Sequence, residues 1–323
     1  MNNQSTAKQL VAILLKLADK CTSNLLAQQY VFTRIEEILS ADSSNFKARA
    51  QLFTLSPDGT SNANAVVQDG PFLRALRSTD SFIQQSASVG LAHLYTAYNG
   101  EINSLVSWIC DVLHQAVEKP QATEVALPAL TILLRRESCR TPFSAKGGIS
   151  LIVQILNKLG RNGNAQQLYE LTFCLWTLSL GESADIDAFL HCGTIVTLTE
   201  LVAAAPSRKV VRMALAALCN LTRGSNEGIL TEMLTGGLTK MLENMIHSNA
   251  HKQAGDPEVE ADVRNLFEIL MKNYRDFSTY DRWVSEVKTG NLRCVSPLLL
   301  DLSSSQMGNC PHREILERKC QIG

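Results

Sequence analysis

Apolar side chains recur along this chain at intervals of three and four residues, the spacing that gathers them on one face of a helix. Val263, Leu266, Phe267 and Leu270 fill the i, i+3, i+4, i+7 template. Val31, Ile35, Ile38 and Leu39 mark a second stripe, and Val211, Leu215, Leu218 and Leu221 a third. The two-residue alternation of strands is almost absent. Each stripe belongs to an amphipathic helix that needs neighbours to bury it. Turn-rich stretches interrupt the pattern: "SPDGTSNANAVVQDGP" (56–71), "GRNGNA" (160–165) and "SNAHKQAGDPEVE" (248–260). They are expected to be surface loops, the first an insertion.

The stripes repeat. "KGGISLIVQIL" begins at 146, "HCGTIVTLTELV" at 191 and "TGGLTKMLENM" at 235, and aligning Gly148, Gly193 and Gly237 gives spacings of 45 and 44 residues. Each glycine follows an expected helix end and precedes the next helix, a corner where positive φ or close backbone approach favours glycine. Between the corners lie "YELTFCLWTLSLGE" (169–182) and "VRMALAALCNLTRGS" (211–225), with Leu175 aligned to Leu218. "LPALTILLRRES" (127–138) is an earlier copy and "SVGLAHLYTAYNGE" (88–101) a fainter one. A period of about 40–47 residues with two or three helices per unit marks armadillo and HEAT repeats. The fold expected is all-α, a right-handed α-solenoid of armadillo/HEAT-like repeats over residues 1–292. A divergent tail at 293–323, without sustained helical spacing, follows.

Composition narrows the class of function. Apolar residues make up 45% and charged residues 19% of the 323 residues, enough for a long core. Thirty basic against 31 acidic side chains leave no net field to attract nucleic acid or anionic lipid. A protein partner is the expectation. No window of about 18 residues can span a bilayer. The apolar run "LVAILL" at 10–15 is short and ends at Lys16, the pattern of a buried helix face rather than a leader. Nine cysteines, an odd number with no C-x-x-C pair, suit a reducing compartment.

Candidate chemistry is sparse. There is no G-x-x-x-x-G-K-[ST] and no G-x-S-x-G in the chain. The glycine pairs at 147–148 and 236–237 recur with the repeat, which favours packing over anion binding. His247 and His251 share a helix face but have no third ligand nearby. Cys310, His312 and Cys320 sit in the irregular tail without the ordered spacing of a zinc site. Catalytic, cofactor and metal sites are therefore expected to be none. A zinc or catalytic role for the tail cysteines is the competing enzyme-class reading, which metal analysis would reveal. Peptide-binding armadillo proteins carry a ladder of Asn on successive third helices; here Asn220 fits, but Thr177 stands at the preceding rung and "ALTILL" has no amide. Docking of folded or helical partners is favoured over a long peptide groove.

One stretch, "DFSTYDRWVSEVKTGNL" (276–292), repeats nothing upstream. It resembles the segment that joins the two domains in the H-subunit family of vacuolar-type proton-pumping ATPases (V-ATPases), approximately D-L-S-S-F-D-x-Y-x-x-E-L-x-S-G-x-L-x-W-S-P. Asp276, Phe277, Ser278, Tyr280, Asp281, Trp283, Glu286 and Gly290 carry the resemblance, with Thr279, Val287, Lys288, Thr289 and Leu292 as conservative matches. "YELTFCLWTLSL", "GTIVTLTELVAAAPSRKVVRMALAALCNL" and "QQYVFTRIEEIL" (28–39) agree in order. Arg293 is followed by Cys294-Val295-Ser296-Pro297, so the aromatic of L-x-W-S-P is missing. The expectation is a chain shortened at both ends relative to the family, with its C-terminal domain replaced by the tail.

The resemblance implies a non-catalytic regulatory and stator component of the V1 sector, with no cofactor. It would dock on the peripheral stalk built from the E and G subunits, among other V1 components, on the cytosolic face of vacuolar or endosomal membranes. It would support the coupling of ATP hydrolysis to proton transport. Contact with the a-subunit of the membrane sector is not expected without the C-terminal domain, nor is nucleic-acid binding or direct membrane insertion. Phe277, Tyr280 and Trp283, three apart, would cap the last repeat. The alternative is a generic armadillo-repeat adaptor in trafficking or signalling.

Overall fold

The computed structural model describes residues 2–41, 46–54, 70–97, 102–160, 163–181, 184–224, 226–247 and 256–277. Met1–Met271 packs as one compact unit. Among the described residues every regular element is a helix.

The chain opens with α1 (Asn2–Lys20), α2 (Leu25–Ser40) and α3 (Phe46–Thr54). Short α4 (Pro71–Ala75), opened by Pro71 at its first turn, leads to α5 (Ser81–Ala97), α6 (Asn103–Glu118) and α7 (Thr123–Leu134). Two three-helix units follow: α8 (Glu137–Ala145), α9 (Gly148–Leu159) and α10 (Ala165–Leu178), then α11 (Ile186–His191), α12 (Thr194–Ala204) and α13 (Arg208–Thr222). A third comprises α14 (Glu227–Thr235), α15 (Leu238–His247) and α16 (Pro257–Phe277). The helices of this last unit absorb residues 257–260, which the sequence pattern assigns to a loop.

Two rows of helices run through the unit. In one, α2 packs on α5, α5 on α7, α7 on α10 and α10 on α13. In the other, α6 packs on α9 and α9 on α12. Each helix thus touches the copy of itself one repeat away, the arrangement of a solenoid. Hydrogen bonds between side chains follow the same period. Thr197 Oγ1 donates to Asn157 Oδ1 across 40 residues, Asn220 Nδ2 to Ser179 Oγ across 41 and Arg212 Nη2 to Asp256 Oδ2 across 44.

The core lies between the rows. Where α10 packs on α13, Leu171, Cys174, Leu175 and Leu178 of the first and Ala214, Leu215, Leu218 and Leu221 of the second are all buried. Full burial of each such leucine contributes about 1.5–3 kcal/mol. Val31, Ile35 and Leu39 are buried as their spacing predicts, as are Val263, Leu266 and Leu270. Val211 is half-buried and its neighbour Val210 fully buried, because α13 packs against both α10 and α12 and needs a wide apolar arc.

The corner glycines divide their task. Gly147, Gly193 and Gly237 hold positive φ of 75°, 67° and 77° immediately before α9, α12 and α15. The equivalent of Gly193 is therefore Gly147, one residue before the position suggested by sequence alignment. Gly148 is needed for a different reason: a Cβ there would lie 2.3 Å from the Phe143 ring.

Candidate docking surface

The long-helix row leaves one face of α7, α10 and α13 half-exposed, and aromatic side chains gather on it. Tyr169, Phe173 and Trp176 follow each other at helical spacing on α10, with ring centroids 6.2 Å and then 5.4 Å apart. The Arg135 guanidinium, from the end of α7, lies 5.9 Å from the Phe173 centroid, within cation–π range. His93 on α5 is held below the ordinary imidazole pKa by burial and by the Arg135 charge. The surface therefore offers flat rings beside the Arg135 guanidinium, a combination suited to apolar and planar contacts.

Arginines tie the neighbouring repeats together. Arg136 Nη1 donates to the carbonyls of Tyr95 (3.0 Å) and Thr96 (2.6 Å) at the end of α5. Arg140 Nε donates to Leu134 O at 3.0 Å and its Nη1 to Leu180 O, beyond α10, at 3.1 Å. Two side chains one turn apart thus satisfy carbonyls at the ends of three long helices, α5, α7 and α10, where a cation also complements the helix dipole. The sequence contains "RRES" and "YELTFCLW" but gives no sign that their side chains meet. Rungs of cation and ring from different repeats need the three-dimensional period.

The asparagine ladder is incomplete here. Asn220 spends its amide on Ser179 Oγ at 3.0 Å, and Thr177, fully buried, returns its hydroxyl to Phe173 O. A concavity of about 460 Å³ lies between α9 and α12, lined by Leu156, Asn157, Cys192, Val196, Thr197 and Leu201 among others.

Of the junction residues, Asp276 and Phe277 continue the backbone of α16. Ser278, Tyr280, Asp281, Trp283, Glu286 and Gly290 lie outside the described residues, as do His251, Cys310, His312 and Cys320. His247 is the last residue of α15. Among the described residues no three His, Cys, Asp or Glu side chains converge as metal ligands, and no helix is long and apolar enough to cross a membrane.

Residues 2–270 match the family model described as the V-ATPase H subunit. The chain is 29% identical over 277 residues to the V-type proton ATPase H subunit of Dictyostelium discoideum, covering 84% of this chain and 58% of that protein. It is 26% identical over 298 residues to the V-type proton ATPase H subunit of Drosophila melanogaster, covering 88% and 59%. The chain therefore spans about three-fifths of the length of these curated relatives. Among solved structures, a designed armadillo repeat protein superposes with a TM-score of 0.60 at 16% identity, covering 80% of this chain and 99% of that one. An engineered protein does so with 0.60 at 18%, covering 80% and 96%. At such identities the likeness concerns the fold, an armadillo-type α-solenoid.

Proposed function

The chain belongs to the V-ATPase H-subunit family, and from that premise we propose that it is a non-catalytic brace of the V1 sector. It docks on the peripheral stalk formed by the E and G subunits and supports the coupling of ATP hydrolysis to proton transport. The observation that carries this reading is one of extent: the family match, residues 2–270, spans nearly the whole of the compact unit Met1–Met271. What the family shares with this chain is thus the solenoid itself.

The physical fit is with load-bearing. A rotary motor needs static parts that resist torque, and a solenoid whose repeats share a continuous core is stiff along its length. The Arg136 and Arg140 bridges add polar ties between the repeats. On this reading the chain works at the cytosolic face of vacuolar or endosomal membranes, held there by the rest of the V1 sector. The junction residues 276–292 mark the end of the stalk-binding part.

Affinity purification of the tagged chain from cells, with mass spectrometry of the bound proteins, tests the proposal. Recovery of V1 components, E and G foremost, is expected. Recovery of trafficking or signalling proteins without any V1 component would transfer the chain to the adaptor class.

A further inference from the structure

Nine large apolar side chains stand exposed among the described residues, and six of them fall between residues 10 and 30. On α1, Leu10, Ile13 and Leu17 are 51%, 54% and 39% exposed. Their spacing of three and four residues places them on one face as a stripe. The same helix buries Val11, Leu14 and Ala18 where it packs on α2 and α3. So α1 is apolar on two faces and uses one. At the start of α2, Leu25, Leu26 and Tyr30 are 49%, 77% and 59% exposed. A solenoid helix face without a further neighbour is ordinarily polar. Apolar surface gathered in this way marks an interaction site.

The polar residues beside the stripe say what fits it. Lys16 stands three residues after Ile13 and Lys20 three after Leu17, both exposed, so they border the stripe. The helix has one acid, Asp19, and Arg74 already engages it. The border of the stripe is therefore basic with no acid of its own. We propose that this face of α1 docks an acidic amphipathic helix of a protein partner, leucine-like residues against the stripe and carboxylates against Lys16 and Lys20. The proposal does not depend on the assembly in which the chain works.

Two other occupants fit less well. A second copy would bring the same basic border against itself, and like charges across an interface oppose association. A bilayer would take up the same partly exposed side chains, but two lysines give it only a weak electrostatic hold, too little for stable anchoring. A partner helix removes its own apolar stripe from water as well, which is how helix-in-groove recognition gains its strength.

The test uses the full chain and a labelled helical peptide whose leucines repeat at i, i+3 and i+7 between rows of Glu. A matched peptide carries Lys in place of Glu. Fluorescence anisotropy is expected to show the Glu peptide binding at least about tenfold more tightly than the Lys peptide. Ile13→Asp should abolish that binding while thermal melting stays unchanged, since the side chain is half in water. The double variant Lys16→Glu/Lys20→Glu should turn the preference towards the Lys peptide. Binding of neither peptide, or equal binding of both, would overturn the proposal. So would a dimer in solution that Ile13→Asp dissolves, or tighter binding to phosphatidylserine vesicles than to the Glu peptide.

Discussion

Phe143 covers Gly148 so closely that a Cβ on the glycine would meet its ring carbon Cε1 at 2.3 Å. The ring is fully buried at the end of α8 and the glycine is the first residue of α9. This contact sets how sharply the chain turns between the first two helices of the unit. The left-handed conformation that makes the turn belongs to Gly147, where a Cβ would meet nothing within 4 Å.

The two glycines should therefore fail differently. Gly148→Ala overpacks the corner and is expected to cost about 1–3 kcal/mol. Gly147→Ala strains only the backbone, at about 1–2 kcal/mol. Phe143→Leu should partly relieve Gly148→Ala and leave the cost of Gly147→Ala unchanged. Urea unfolding of the double-mutant cycles measures both couplings.

Arg140 ties two units through two carbonyls, and its loss leaves both without their charged donor. Arg140→Met keeps much of the aliphatic packing and is expected to cost about 1.5–3 kcal/mol. Arg140→Lys should recover little, because one ammonium lacks the fork that reaches both acceptors. Urea unfolding gives the magnitude, and hydrogen exchange at the ends of α7 and α10 should show where protection is lost.

Acid should loosen the link between α13 and α16. The Arg212 guanidinium donates to Asp256 at 2.5 Å and holds its carboxyl below the usual carboxylate range, helped by the Val259 N–H. A depressed carboxylate stabilises the fold above its unfolded pKa, and that contribution is lost as pH falls through the folded one. Asp262 works in the opposite sense, since burial and the nearby Glu258 charge push its carboxyl up. Comparing the chain with Asp256→Asn isolates the first effect from the second. The melting temperatures should differ at neutral pH and converge below the ordinary carboxylate range; a gap that persists in strong acid would contradict the assignment.

The buried thiols should be silent. Burial pushes Cys110 up to about 11 and Cys219 up to about 12, and it raises Cys174 as well. Cys21 and Cys192 are only half-buried, the latter on the wall of the cavity between α9 and α12. A maleimide pulse under native conditions, read by peptide mass spectrometry, should label Cys21 and Cys192 at least about tenfold faster than those three.

The repeat is legible in the sequence because its longer helices carry full apolar stripes and its corners carry glycines. Leu215, Leu218 and Leu221 are buried as their spacing requires. The short first helices are not legible in the same way: α11 has 6 residues and α8 and α14 have 9 each, too few turns for periodicity to declare itself. The alignment at Gly148 instead of Gly147 has a similar origin, since two adjacent glycines hide which one carries positive φ. The aromatic face of α10 is the least legible part. Tyr169, Phe173 and Trp176 stand at ordinary helical spacing, and only the stacking of α7 on α10 brings Arg135 over the middle ring. Leu10 and Ile13 belong by pattern to a buried helix face, yet they stand in water, because a sequence does not say which apolar face of a helix finds a neighbour.

The central claim is that this solenoid docks on the E–G stalk, and reconstitution from purified parts tests it most directly. The chain would be mixed with E–G heterodimer and analysed by size-exclusion chromatography with light scattering. A single species with the mass of one chain plus one heterodimer is the result expected. Separate elution of a folded, monodisperse chain and an intact heterodimer, across concentrations that span the micromolar range, would contradict it.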